Sequence, residues 1–294
     1  MTIGIIPNIS KENMLGVVKN IISELIINHF DYVLSNTLLK YRNQFDGNLK
    51  KSCFMTHPHL GESCDIIVSI GGDGTMLNTA YEVRNSSTPI LGLNFGKLGF
   101  LAEFDLNSFI DFLQDIKVKN YYFEERMTIV ASCGNSSEKE LYAVNDIVID
   151  KGPWSKMIQL TIKIDNDYVS TFSADGLIIA TPTGTTGYSL SVGGPIVNPQ
   201  ADVITLCPIA PHTLTIRPLV ISSKQKISII VDSPVDNIQI RCDGQRVSFV
   251  KPFVTIEIEK SSHPFRLLHS SRTNYFEILR NKLYWGLDIR KPNE

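Results

Sequence analysis

The chain has 294 residues, long enough for two domains of ordinary size with ample core in each. Its 28 basic and 30 acidic residues leave a net charge of -2, which supplies no general attraction for nucleic acid or an anionic membrane. Cys53, Cys64, Cys133, Cys207 and Cys242 are scattered without a C-x-x-C pair, and the start MTIGIIPNIS has no signal-peptide pattern, so free thiols in a reducing, cytoplasmic setting are expected.

In chain order, Thr2 to Ile6 predicts a first strand. Ser10 can then cap a helix whose apolar positions Leu15, Val18, Ile22, Leu25 and Ile26 recur at helical spacing. A short strand is expected at Tyr32 to Leu34. Cys53, His57, His59 and Cys64 follow as a cluster, but their spacing matches no common zinc pattern and Pro58 divides the histidines. A solvated loop is expected there.

Asp65 to Ile70 carries Ile66, Ile67, Val68 and Ile70, the composition of a strand buried on both faces of a parallel sheet. It runs into Gly71, Gly72, Asp73, Gly74 and Thr75, after which Met76 to Arg84 can form a helix. Strand, glycine turn and helix make a phosphate cradle, because glycine lets the backbone approach closely and several N–H groups point at an anion near a positive helix end. A carboxylate beside phosphate oxygens repels them, so Asp73 needs a reason: holding a bridging cation, accepting a proton from an attacking hydroxyl, or simply occupying an ordinary Gly-Asp-Gly turn.

A strand at Pro89 to Asn94 and a helix at Leu106 to Ile116, with Phe109, Phe112 and Leu113 inward, complete an alternation of strand and helix. That alternation predicts a doubly wound, Rossmann-like α/β domain over residues 1–120. From Tyr121 the period changes to short strand-like runs. MIQLTIKI places Ile158, Leu160, Ile162 and Ile164 on one face before the turn residues Asp165, Asn166 and Asp167. Similar runs at Ala143 to Ile149, Gly176 to Ala180, Ile227 to Val231, Ile238 to Arg241 and Val254 to Ile258 predict an all-β domain of two packed sheets over residues 121–267. Helical spacing returns at Asn274 to Leu283 in Phe276, Leu279 and Leu283, so residues 268–294 are expected to pack back on the first domain.

Three features of the β region offer binding groups. Asn145 and Asp146 interrupt an apolar run, where a polar pair belongs at a strand end, at a bulge or against a ligand. Thr181, Thr183, Thr185, Thr186, Tyr188, Ser189 and Ser191 alternate with Gly184, Gly187, Gly193 and Gly194, a loop whose hydroxyls and backbone groups suit ribose, amide and base edges. Asp243, Gly244 and Gln245 read as a hairpin turn and nothing more. No G-x-x-x-x-G-K-[ST], helix-opening G-x-G-x-x-G or G-x-S-x-G is present, which removes P-loop, dehydrogenase and α/β-hydrolase readings.

GGDGT at 71–75, NFGKLGFLAEF at 94–104, VNDIVID at 144–150, TPTGTTGYSLSVGGPI at 181–196, PIAPHTL at 208–214, RPLV at 217–220 and DGQ at 243–245 together resemble NAD kinase, in order and over most of the chain. GGDGT alone is shared with relatives of diacylglycerol kinase and phosphofructokinase; the Thr/Gly-rich segment is what points to a dinucleotide. The resemblance implies an ATP- or polyphosphate-dependent kinase acting on the 2′-hydroxyl of the adenosine ribose of NAD, with a divalent ion such as Mg2+, in a homodimer or homotetramer. It makes Asp73 the proton acceptor and brings Gly74 close to the dinucleotide, with Gly71, Gly72, Gly74 and Thr75 toward the phosphate donor. Asn145, Asp146, Asp175, Thr186, Gly187, Tyr188, Ser191, Ala210 and Gln245 would bind NAD, some of them on a neighbouring subunit's ligand.

Departures from the family pattern are Gly187 where alanine is usual and Asp146 where glutamate is often found. Phe172 and Ser173 stand where basic residues sometimes precede the Asp175 position, with Lys156 a substitute charge. The rival readings are a lipid or sugar kinase of the same superfamily and a non-catalytic dinucleotide sensor.

Overall fold

The computed structural model describes residues 1–45, 49–94, 99–134, 141–234, 236–270 and 274–286. By their contacts they form two units, Met1–Glu125 with Arg266–Glu294, and Arg126–Phe265.

The first unit begins with β1 (Thr2–Pro7) and α1 (Met14–Ile27), followed by β2 (Asp31–Ser35), β3 (Phe54–Met55), α2 (His57–Ser63), β4 (Ile66–Gly71), α3 (Asp73–Glu82), β5 (Ile90–Asn94), α4 (Leu106–Lys117) and β6 (Tyr121–Arg126). Every residue of β4 is buried, as its β-branched run requires. Capping decides where the helices begin. Asp105 caps α4 by accepting from the Ser108 amide, while the Ser108 hydroxyl accepts from the Asp105 amide, so the expected helix starts on time. Ser10 does not cap α1: its hydroxyl bonds the Asn8 side chain, and the helix begins only at Met14, after Asn13 in the left-handed region. The delay rotates the inward face to Met14, Val17, Val18, Ile21, Ile22 and Leu25, leaving Ile26 exposed. Helix α3 starts earlier than the sequence suggests, with Asp73 as its first residue and Gly72 as its N-cap.

The second unit carries β7 (Ile129–Cys133), β8 (Leu141–Ala143), β9 (Asp146–Asp150), β10 (Ile158–Ile164), β11 (Asp167–Ala174), β12 (Gly176–Ala180), the short α5 (Tyr188–Ser191), β13 (Val203–Ile209), β14 (Leu219–Ser222), β15 (Ile227–Asp232), β16 (Ile238–Cys242), β17 (Arg246–Val250) and β18 (Val254–Lys260). They form two six-stranded sheets, ordered β11-β10-β15-β18-β7-β8 and β14-β13-β12-β9-β16-β17. Both sheets feed one core, in which Ile158, Leu160, Ile162 and Ile164 of β10 meet Ile147, Ile149, Leu177 and Ile179 of β9 and β12. Asp165 and Asn166 turn the β10–β11 hairpin with φ of 51 and 75, the two positive angles of a type I′ turn.

The chain then returns to the first unit with β19 (Phe265–Ser270) and ends its described part in α6 (Tyr275–Leu283), capped by Asn274. Ile278 and Leu279 are the buried positions of α6, while Phe276 is exposed, against the expected inward face. The first sheet is ordered β3-β2-β1-β4-β5-β19-β6, and β1, β2, β3, β4, β5 and β19 pair in parallel. Chain order runs one way from β1 through β2 to β3 and the other way from β4 to β5. The crevice outside the carboxyl ends of β1 and β4 is therefore the topological switch point, where open α/β sheets receive ligands. Among the described residues no helix is long and apolar enough to cross a membrane.

Candidate functional site

Gly71 to Thr75 lies at that switch point. Gly71 closes β4, and the amide of Asn8, just past β1, donates to Ile70 O at 2.9 Å. Thr75 folds back over Gly71 so closely that its side chain occupies the space a Cβ would need, and Asn8 Nδ2 donates to Thr75 Oγ1 at 3.3 Å. Gly72 differs. Its φ of -103 is open to any residue, and a Cβ there would meet nothing within 4 Å, so the fold leaves clear space in front of the helix start.

The Asp73 carboxylate is held by three successive amides. Phe100 N donates to Oδ2 at 2.8 Å, and Leu101 N and Ala102 N donate to Oδ1 at 3.0 and 3.2 Å. Gly99 lies against the same carboxylate, where a Cβ would overlap Oδ1. The segment itself rests on β5: Phe104 N donates to Gly92 O at 3.1 Å and Asn94 N to Phe104 O at 2.6 Å. A carboxylate offers about four lone-pair directions, so among the described residues three amides orient Asp73 and leave one direction open. The preceding residues 95–98 of the NFGKLGFLAEF motif lie outside the described residues.

In the second unit, the polar pair does sit at a strand end. Val144 and Asn145 break the run between β8 and β9, and Asp146 is the first residue of β9. Sequence reasoning missed what holds this corner. Asp243, in the left-handed region at φ 53, accepts from the amides of Val144 at 3.2 Å, Asn145 at 2.7 Å and Asp146 at 3.3 Å, and pairs with Arg246 at 2.6 Å. The only signal in the sequence was an aspartate before glycine, which any hairpin would use. Thr181 Oγ1 donates to Val144 O at 2.6 Å, and Gly184 packs so closely on the Asn145 carbonyl that no side chain fits.

This corner opens on a cavity of about 230 Å³ lined by Asn145, Asp146, Val148, Tyr188, Arg241, Asp243 and Gly244. The Asn145 side-chain oxygen is buried, and no described residue reaches it with a hydrogen bond. Burial, together with the charge of Asp243 and against that of Arg241, pushes the Asp146 carboxyl up to about 7. Near neutral pH the pocket therefore presents an unsatisfied acceptor beside a carboxyl able to donate or accept.

The Thr/Gly-rich stretch is not the open loop expected of it. Thr183–Thr186 forms a 3-10 turn and Tyr188–Ser191 a helical one, and Thr181, Thr183, Thr185 and Ser189 are buried. Thr185 is spent on the Pro182 carbonyl and the Val197 amide, and Ser189 contacts the Cys207 thiol. Thr186, Gly187, Tyr188, Ser191 and Gly193 keep access to solvent. Gln245 is exposed beside the Asp243 turn.

Asp175 and Ala210 lie elsewhere. Gly176 pairs with Ile209 and Asp150, whereas Ala180 pairs with Asp146. The five residues of β12, roughly 16 Å at about 3.3 Å each, thus separate Asp175 from the Asn145 corner along the strand. Asp175 pairs with Lys151 at 2.7 Å, and Ala210 holds a φ of 43, unusual for a residue with a Cβ. Lys156 is exposed.

The Cys53 to Cys64 stretch is helical from His57 to Ser63, contrary to the expected solvated loop, because Pro58 sits in the first turn, where its missing N–H costs nothing. His57 Nε2 lies 2.8 Å from Ser35 Oγ, with Glu82 beyond its other nitrogen at 4.0 Å. The arrangement resembles a hydrolase triad, but Ser35 is completely buried and caps a 3-10 turn, so no substrate carbonyl can reach it.

Residues 3–121 match the model of the ATP-NAD kinase N-terminal domain, and residues 144–270 that of the ATP-NAD kinase C-terminal domain. An NAD kinase of Chloroherpeton thalassium is 36% identical over 97% of this chain and 98% of its own length, and one of Geotalea daltonii is 42% identical over 76% and 80%. Among solved structures, an Archaeoglobus fulgidus NAD kinase in complex with ATP superposes with a TM-score of 0.76 at 27% identity, covering 97% of this chain and 99% of that one. Yeast NADH kinase complexed with NADH has the same fold, with a TM-score of 0.90 at 22% identity over 100% and 90% of the two chains. Both domain models in sequence, and relatives alike along almost the whole chain, establish that it belongs to the NAD kinase family of enzymes.

Proposed function

We propose that this enzyme transfers the γ-phosphoryl group of ATP, or of polyphosphate, to the 2′-hydroxyl of the adenosine ribose of NAD, forming NADP. One observation carries the reading: a carboxylate at a switch-point helix start, turned by three amides so that one lone-pair direction stays open. In the reaction the 2′-oxygen bonds to the γ-phosphorus, the bond from that phosphorus to the bridging oxygen breaks, and the hydroxyl proton passes to Asp73. Phosphoryl transfer has a loose transition state, so the proton leaves late and Asp73 serves first to orient the hydroxyl. The open space at Gly72 suits a phosphate oxygen close to the start of α3, where Gly71, Gly74 and Thr75 complete the turn.

Among the described residues no group of three or more His, Cys, Asp or Glu is arranged to hold a metal. A divalent ion such as Mg2+ fits as one carried chiefly by the donor phosphates, with few protein ligands, and would supply charge neutralisation. Asn145 and Asp146 can face the amino and hydroxyl groups of the dinucleotide, with Thr186, Gly187, Tyr188, Ser191 and Gln245 around them. The distance of Asp175 and Ala210 from that corner favours a role for them on the ligand of a second copy, in a cytoplasmic homo-oligomer.

Incubation with Mg-ATP and NAD, followed by detection of NADP, tests the reaction. Phosphorylation of diacylglycerol or a sugar in place of NAD would transfer the reading to the rival kinases, and NAD binding without product would make the protein a sensor. Mixing Asp73→Asn with Asp175→Asn protein tests the shared site: activity regained on mixing supports it, and two inactive proteins that stay inactive as mixed oligomers contradict it.

A further inference from the structure

The strand β19 brings a histidine into the first unit beside the segment that holds Asp73. His269 is 4% exposed. Its Nδ1 donates to Glu103 Oε1 at 3.0 Å, and its Nε2 lies 3.2 Å from Glu124 Oε2, an ion-pair distance without the alignment of a hydrogen bond. Tyr122 stacks on the ring, with centroids 5.2 Å apart and planes at 22°. The Glu103 and Glu124 side chains are only 7% and 16% exposed, so both carboxylates feel the imidazole with little screening by water.

Glu103 is the residue next to Ala102, the last of the three amides on Asp73, and it precedes Phe104, which is tied to β5. At Gly92 of β5 a Cβ would come within 2.6 Å of Ala102 Cα and 2.7 Å of Leu101 O, so the segment rests on the strand backbone with no side chain between them. On its far side the segment is tied at Phe104 by two backbone hydrogen bonds to β5. Between that tie and the Ala102 amide, the Glu103 side chain is held by His269.

We infer that His269 is a positioning residue for phosphoryl transfer: by fixing Glu103 it fixes the amides that aim Asp73. The inference rests on the reading of Asp73 given above. Removing the imidazole takes away the hydrogen bond it gives the Glu103 carboxylate, and a shift of Glu103 carries the neighbouring Ala102 amide with it. Small misplacements of a reacting group cost rate and leave distant binding contacts intact.

The test compares His269→Ala, His269→Gln, Glu103→Ala and Asp73→Asn by kcat and KM for NADP formation, well below the midpoint of thermal unfolding of each. His269→Ala and Glu103→Ala are expected to lower kcat about tenfold with KM for NAD within about twofold. His269→Gln, whose amide still donates to Glu103, is expected to recover to within about threefold of the parent. If either truncation fails to fold, the other is judged by the same criterion. A folded His269→Ala or Glu103→Ala protein with unchanged kcat, or with KM raised in proportion, overturns the inference and leaves His269 as a stabilising contact. If Asp73→Asn itself turns over normally, the reading of Asp73 fails first and takes this inference with it.

Discussion

Two aspartates in this chain are caught in the same way and put to different use. Asp73 accepts from Phe100, Leu101 and Ala102, and Asp243 from Val144, Asn145 and Asp146; in each the first amide goes to Oδ2 and the next two to Oδ1. The difference is what lies beyond. Asp243 is 7% exposed and pairs with Arg246, so its remaining capacity is spent inside the protein. Asp73 is half-buried, and among the described residues it receives amides alone, so one direction stays available. The same clasp makes a fastener where a cation closes it and a working group where it is left open.

The contrast is broken most sharply at Asp73. Asp73→Asn keeps the shape and loses the proton acceptor, so turnover should fall about a hundredfold to ten-thousandfold with NAD affinity retained, as measured by steady-state kinetics and calorimetric binding. Asp243→Ala should act on folding instead. It removes the carboxylate from the Arg246 guanidinium and from three buried amides, at a cost of about 3–5 kcal/mol in denaturant unfolding. Gly99→Ala presses a methyl against Asp73 Oδ1 and should lower kcat about tenfold, with KM for NAD little changed.

The smallest effect is a pH dependence carried by Asp146. Its carboxyl is raised from 3.8 to about 7 in the folded chain, so the native state holds a proton that the unfolded chain has lost between those values. The stability this group contributes is complete below about pH 4 and lost as pH rises through 7. Asp146→Asn should therefore gain stability over the parent as pH rises from about 4 to 7 and hold that gain above, on the order of 1 kcal/mol per pH unit within the window in chemical unfolding. A constant difference across that range would show that Asp146 is ionised throughout.

Much of this was legible from residue pattern. The run Ile66 to Ile70 could only be a buried strand, and alternation at Ile158 to Ile164 fixed both the face and the hairpin that follows. Asn145 and Asp146 were marked as odd because polar groups in an apolar run need partners. Their partner could not be read, since Asp243 lies almost a hundred residues away and its DG turn is locally ordinary. Ser10 was a sound cap by composition, but Asn8 took its hydroxyl. The hydroxyl-rich stretch was misjudged for a related reason: threonines that look free for a ligand also bond their own turn, as Thr181 does by accepting from the Gly184 amide and Thr185 by donating to the Pro182 carbonyl. Local chemistry lists what a side chain can do, and tertiary neighbours decide which option it takes.

The position of β19 between β5 and β6 also governs how the molecule is made. A ribosome releases the Asp73 turn early, yet the sheet beneath it lacks an inner strand until the whole β unit has emerged. The inserted unit can complete itself first, and the outer one closes around the last strand to arrive. A nascent or truncated chain ending before Phe265 would hold a finished sandwich beside an unfinished sheet, with the edge of β5 exposed to any other strand that could pair with it.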